Sequence, residues 1–242
     1  MKQQATLVLK RLVNSLPMLR LIRRCEALSE NRLAERGMIA QAFEFIRLNQ
    51  IRGDYLEFGL WQGKTFLHAR RMKKLYGIDD MHLWGFDSFH GLPAVPGTSA
   101  GIWTGGQFAC TQQNFTAIMA SQGLEREEYT LVPGFYDTSL NAAQHAAMKG
   151  RKAALVYIDC DLYESTVPVM NFIEPYLITG TIVCFDDFFC YAGSPEYGEQ
   201  RALGEFLETH PDLTFQRYLT YCPVGQSFIV NRRSTLSQGT PR

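Results

Sequence analysis

Tyr55-Leu56-Glu57-Phe58-Gly59-Leu60-Trp61-Gln62-Gly63-Lys64-Thr65 is the stretch that decides the fold. It opens as a short, mostly apolar run rich in aromatic side chains and closes on glycine, as a buried strand does. Gly59 and Gly63 permit a tight turn and a close backbone approach. Residues 65–75 then read as a helix. A strand running through a glycine turn into a helix is the start of a strand–helix–strand unit, and such units build a parallel sheet covered on both faces.

The same alternation continues downstream. Further strands are expected over residues 82–87, 129–132, 153–159 and 181–185, and helices over 114–122, 167–177 and 198–209. Residues 215–221 and 227–230 read as a closing hairpin around Pro223-Val224-Gly225, which adds antiparallel character at one edge. No internal repeat, low-complexity tract or interdomain linker interrupts this pattern.

Upstream, Leu7, Leu9, Leu12, Leu16, Leu19, Leu21 and Ile22 recur at roughly helical spacing among Lys10, Arg11, Arg20, Arg23 and Arg24. Pro17 divides that helix in two, and a second helical pattern covers residues 34–48. A basic amphipathic helix can lie on a membrane. Packing on its own domain or on a dimer partner is the expected role, as a lid or as a dimer arm. The organisation expected is a helical extension over residues 1–50 and one α/β domain over residues 51–242.

The bulk composition sets the class. The chain has 242 residues, 46% of them apolar, with 24 basic and 24 acidic side chains. That length suits one large α/β domain with a full core. Zero net charge gives no general attraction to nucleic acid. No uninterrupted apolar run approaches the ~20 residues that a spanning helix needs. Cys25, Cys110, Cys160, Cys184, Cys190 and Cys222 form no CxxC pair and no zinc-like spacing. A reduced, cytoplasmic setting is therefore expected.

In an open α/β sheet, ligands bind beyond the carboxyl ends of the strands, so the polar residues there are the candidates. The turn at Gly59–Gly63 is not GxGxxG, because Trp61 stands where a second glycine would be. That weakens a pyrophosphate-binding reading and suits a ligand offering a flat or cationic group to an aromatic face. Asp87 ends the second strand, where a carboxylate can hold two ribose hydroxyls. Asp159 and Asp161 follow the fourth strand and Asp186-Asp187 the fifth, one strand–helix–strand unit later. Carboxylates gathered at one sheet edge repel unless a cation sits among them. An all-oxygen donor set favours a hard ion, with Mg²⁺ the natural choice when water and substrate complete the shell.

With these clusters in view, the chain resembles the macrocin O-methyltransferase (TylF/MycF-like) family of class I S-adenosylmethionine-dependent enzymes. The resemblance rests on Tyr55–Gly63, Gly85-Phe86-Asp87-Ser88-Phe89-His90-Gly91-Leu92-Pro93, Gly134-Phe135-Tyr136-Asp137-Thr138, Ile158–Thr166 and Asp186-Asp187-Phe188. It implies a Rossmann-like sheet of seven strands and S-adenosylmethionine as cofactor. Glu57, Gly59 and Trp61 would line its methionine and adenosine cradle, with Thr65 and Ser88 as further contacts. Asp87 would hold the ribose, and Gly134 and Phe135 would flank the adenine. The resemblance also implies Mg²⁺ on Asp159, Asp186 and Asp187, with Asp159 and Asp161 both open as the strand-end ligand. The family acts on sugar hydroxyls of natural products, so the expected partner is a small hydroxyl-bearing acceptor, in a monomer or homodimer. Asp161 and His90 are the candidate bases, Asp161 preferred because it lies two residues from an expected ligand. Two other activities fit the same pattern less well. A catechol-type O-methyltransferase would share the metal and cofactor logic. A NAD-dependent oxidoreductase is disfavoured by Trp61 and by a carboxylate cluster that hydride transfer does not need.

Overall fold

The computed structural model describes residues 37–95 and 102–233. Its seven strands are β1 (Asp54–Phe58), β2 (Leu83–Asp87), β3 (Tyr129–Pro133), β4 (Ala153–Ile158), β5 (Leu177–Phe185), β6 (Leu213–Tyr221) and β7 (Gly225–Arg232). They form one sheet in the order β3-β2-β1-β4-β5-β7-β6. β1 to β5 run parallel, and β7 is antiparallel to both β5 and β6. The expected α/β sheet with a terminal hairpin is therefore the one found.

Side-chain alternation builds two cores, one on each face. Tyr55, Leu155, Tyr157, Ile182 and Cys184 point to one side, with Phe66 and Phe115 packed over them. Leu56, Phe58, Val156, Ile158, Val183 and Phe185 point to the other, beneath Phe172 and Phe206. Residues 37–48 are helical, and Met38, Ile39, Ala42, Phe43 and Ile46 lie in the first of these cores. This helix is packed into the sheet domain. The basic helices expected further upstream fall outside the described residues.

Two glycines of the deciding stretch are demanded by the geometry. A Cβ on Gly59 would come within 1.7 Å of the Asp159 carbonyl oxygen, at a φ of +91°. A Cβ on Gly63 would meet Met119 and Phe115 at 2.4 and 2.7 Å. Gly63 also starts the helix Lys64–Tyr76 in a left-handed conformation.

One expected helix is displaced. Residues 167–177 were read as a single apolar helical run, but the helix is Tyr163–Ile173, and Leu177 already opens β5. Pro168 lies inside that helix. The proline removes the partner of only the Glu164 carbonyl, and Glu164 is exposed to solvent.

The helix Lys64–Tyr76 is fastened to the start of β3 by Arg70, whose Nη2 donates to Glu128 Oε1 at 2.9 Å. That hydrogen bond, chiefly, holds the Glu128 carboxyl down at about 2. A depressed carboxylate stabilises the fold fully above its ordinary value of 4.5, and the contribution disappears as pH falls through about 2. Glu128→Gln should cost about 1–2 kcal/mol at pH 7. In urea unfolding, the variant and parent curves should converge as the pH approaches 2. A gap independent of pH would show that the ion pair contributes nothing.

Candidate active site at the carboxyl edge of the sheet

Strand order reverses between β1 and β4, which are neighbours although far apart in sequence. Their carboxyl ends open into a cavity of about 820 Å³, within the range of small-molecule and cofactor pockets. Backbone hydrogen bonds extend the ladder one residue past each strand: Gly59 N–H to Phe86 O, Asp159 N–H to Phe58 O, and Asp186 N–H to Ile158 O. These bonds set Gly59, Asp159 and Asp186 in a row along the rim. Three central strands then leave the sheet through non-glycine residues in the left-handed region: Trp61 (φ 42°), Phe89 (φ 58°) and Asp161 (φ 62°). Strain of this kind collects where a site fixes its backbone.

The β1–β2–β3 side of the cavity contains every residue expected to hold a nucleoside. Glu57, Gly59, Trp61, Thr65, Asp87, Ser88, Gly134 and Phe135 all line it. Asp87 ties the loops together. Its Oδ2 accepts from Leu60 N–H at 2.6 Å and Trp61 N–H at 3.3 Å, and its Oδ1 accepts from Phe89 N–H at 2.6 Å. Burial raises the Asp87 carboxyl above its ordinary value, and these three amides oppose the rise. Glu57 is buried behind the rim and accepts a 2.5 Å hydrogen bond from the Tyr55 hydroxyl. Burial pushes it well above the usual carboxylate range. Trp61 packs edge-on against Phe108, which packs in turn against Trp103. Lys64 Nζ sits 5.1 Å from the centre of the Trp61 ring.

The β4–β5 side contains the carboxylates. Asp159, Asp161 and Asp187 present ligand atoms that all lie within 4.8 Å of one another. Asp186, expected among the ligands, lines the same cavity but accepts a 2.5 Å hydrogen bond from the Tyr157 hydroxyl. Alternation along an extended chain accounts for the difference, since successive side chains point to opposite faces. Asp159 and Asp161, both open as the strand-end ligand, stand together with Asp187 in that group.

Burial raises the Asp159, Asp161 and Asp187 carboxyls, Asp161 to about 9, and the neighbouring carboxylates lift Asp159 and Asp161 further. Among the described residues, no Lys, Arg or His ion pair reaches these three or Glu199. Buried like charges without a cationic side chain and with oxygen-only donors fit a divalent cation.

His90 does not join them. Its side chain is exposed, its Nδ1 lies 2.6 Å from the Ser88 carbonyl oxygen, and it is not among the cavity-lining residues. The loop turns at Phe89 and carries the imidazole to the outer surface. Glu199 is the residue that the sequence did not disclose. It is 1% exposed and occupies the first turn of the helix Gly198–Thr209. Its Oε2 accepts from the Asp187 N–H at 3.0 Å. A glutamate opening a helix looks like an ordinary dipole partner, and only the tertiary fold puts it behind the carboxylates.

A parallel five-strand run closed by an antiparallel seventh strand inserted before the sixth defines a class I methyltransferase fold. Two solved structures share it. A calicheamicin methyltransferase superposes with a TM-score of 0.69 at 22% identity, over 94% of this chain and 91% of that one. The O-methyltransferase NovP superposes at 0.67 with 21% identity, over 82% and 80% of the two chains. The chain belongs to the macrocin-O-methyltransferase (TylF) family, whose model matches residues 28–208.

Two curated relatives are similar at lower coverage. The 8-demethyl-8-(2,3-dimethoxy-alpha-L-rhamnosyl)-tetracenomycin-C 4'-O-methyltransferase of Streptomyces olivaceus is 26% identical over 152 residues, 60% of this chain and 56% of the relative. The mycinamicin III 3''-O-methyltransferase of Micromonospora griseorubida is 24% identical over 171 residues, 64% of each. The chain thus spans less than two thirds of the length of these relatives.

Proposed function

We propose that this chain is an S-adenosylmethionine-dependent O-methyltransferase that methylates a hydroxyl of a small polar acceptor, a sugar unit of a natural product or glycan precursor, with help from Mg²⁺. The observation that carries this is one cavity at the switch point with the Asp87 carboxylate on one side and the Asp159–Asp161–Asp187 group on the other. Family membership supports methyl transfer, and the rhamnosyl acceptor in the name of one relative supports a sugar.

Each part of the chain has a task. Asp87 uses three acceptor positions on amides, two on Oδ2 and one on Oδ1, which leaves a lone pair on Oδ1 for a ribose hydroxyl. Gly59 lets the ligand approach bare backbone, and the aromatic faces of Trp61 and Phe135 shield it from water. S-adenosylmethionine supplies a methyl on a sulfonium, which leaves as a neutral thioether when oxygen attacks in line. Asp159, Asp186 and Asp187 would hold the Mg²⁺, with Asp161 beside them. A bound divalent cation would keep these carboxylates ionised and lower the pKa of a coordinated hydroxyl. Of the two candidate bases, Asp161 lies in the cavity, and we assign it the acceptor's proton.

The helix at residues 37–48, packed in the core, belongs in this proposal with the domain at 51–242 and not with a lid or dimer arm. The free cysteines at 110, 160, 184 and 190 suit a reducing cytoplasm. Among the described residues no helix is long and apolar enough to cross a membrane.

The direct test is calorimetric titration with S-adenosylhomocysteine, with Mg²⁺ and then with EDTA, followed by a turnover screen of sugar and phenol acceptors. Folded protein that binds no S-adenosylhomocysteine in either condition would remove the proposal. Cation linkage gives an independent check. At Mg²⁺ 100-fold above its dissociation constant, stability should rise by about 2.7 kcal/mol, roughly 5–10 °C in Tm for a chain of this size. An Asp159→Asn variant should lose most of that gain. Equal melting in Mg²⁺ and EDTA would leave the carboxylates without their cation.

A further inference from the structure

Among the buried carboxylates near the proposed cation site, Glu199 is the one set behind the cavity wall and not in it. Its Oε2 receives the Asp187 backbone N–H at 3.0 Å, and its Oε1 is buried without any hydrogen-bond partner. A buried carboxylate oxygen left unpaired is costly, so its retention here calls for a role in the site. Asp187 is the residue it touches. That side chain is also held on Oδ1 by the Cys190 thiol at 3.3 Å, while the Cys190 N–H donates to the Asp187 carbonyl at 2.9 Å. The loop that follows passes through consecutive left-handed residues, Tyr191, Ala192 and Gly193, before the helix begins. Bonds within the loop, and Phe189 N–H to Val224 O at 2.8 Å, hold its own path. The hydrogen bond from Asp187 to Glu199 pins the exit of β5 to the rigid helix Gly198–Thr209.

We infer that Glu199 is a positioning residue: by accepting the Asp187 N–H it sets the angle at which the Asp187 carboxylate meets a divalent cation shared with Asp159 and Asp186. This rests on the proposed cation site. Groups that orient ligating carboxylates from behind are typically worth 10–100-fold in metal affinity. The role requires an acceptor atom at the right reach and not a negative charge, and two substitutions separate the two. Glu199→Gln keeps the reach and an amide oxygen for the Asp187 N–H but loses the charge. Glu199→Asp keeps the charge and shortens the reach by one methylene.

The experiment is calorimetric titration of the full chain with Mg²⁺ alone, for the parent and both variants. S-adenosylhomocysteine binding serves as the check of fold, since that ligand's residues lie on the other side of the cavity. Glu199→Gln should bind Mg²⁺ within about threefold of the parent, and Glu199→Asp at least 10-fold more weakly. The opposite order, or two variants that bind like the parent, would overturn the inference. A parent that binds S-adenosylhomocysteine but no Mg²⁺ would remove the cation site itself, a distinct failure.

Discussion

Asp161→Asn should lower turnover by about 10³-fold, the middle of the range for loss of a general base, and leave the Kd for S-adenosylhomocysteine within threefold. The substitution is unusually clean at this position. Asp161 has a φ of 62°, and asparagine is among the non-glycine residues best able to adopt the left-handed region, so the backbone need not move. The side-chain hydrogen bond that couples Asp161 to Asp187 survives as well, because the amide nitrogen donates where a carboxyl proton did. The ability to accept and carry away the acceptor's proton is lost. Stability should move the other way. Asp161 is 6% exposed among other carboxylates, so without a cation folding must take up a proton to bury it, and a neutral amide needs none. The cation-free variant should melt a few degrees higher than the parent, roughly 1–2 kcal/mol on the scale for a chain of this size, an exchange of stability for activity familiar at functional sites. Turnover measured with any acceptor that the parent methylates decides the matter. A rate within tenfold of the parent would mean that the proton goes elsewhere.

What the sequence disclosed follows from where burial is two-sided. β1 and β4 are buried at every residue, so they read as short apolar runs, and their ends were legible as polar residues breaking those runs. The Gly59 and Gly63 turn was legible because glycine there has a steric cause. Less was legible where one apolar run passes from helix to strand. Within Val167–Leu177 the break falls at Pro175, which disfavours helix at Glu174, and the apolar residues on both sides of it hide the change from helix to strand. The carboxylates at the rim could be listed but not sorted. Which of Asp161 and Asp186 joins Asp159 and Asp187 depends on the Tyr157 hydroxyl, a neighbour on another strand. His90 and Glu199 fail in opposite directions for the same reason. A loop carries one polar side chain outward and a helix carries the other inward, and neither path is written in the local residues.

Asp87→Ala should weaken S-adenosylhomocysteine binding by at least 100-fold. One charge-assisted hydrogen bond to the ribose is worth about 1.5–3 kcal/mol, the loosened loops add to the loss, and 1.4 kcal/mol is a factor of ten in Kd. Magnitude alone would not locate the cause, because Asp87 has a second task. Its carboxylate binds the amides of Leu60, Trp61 and Phe89, and losing it loosens both loops that border the nucleoside side of the cavity. The two contributions separate through the ligand. The parent should bind the 2′-deoxy analogue of S-adenosylhomocysteine distinctly more weakly than S-adenosylhomocysteine itself, since one hydroxyl loses its acceptor. In Asp87→Ala that preference should vanish, as two changes to one interaction do not add. Loop loosening by itself would weaken both ligands by the same factor and leave the preference intact. A variant that still discriminates between the two ligands would assign the ribose to another group, with Asp87 kept only as the clasp between the loops.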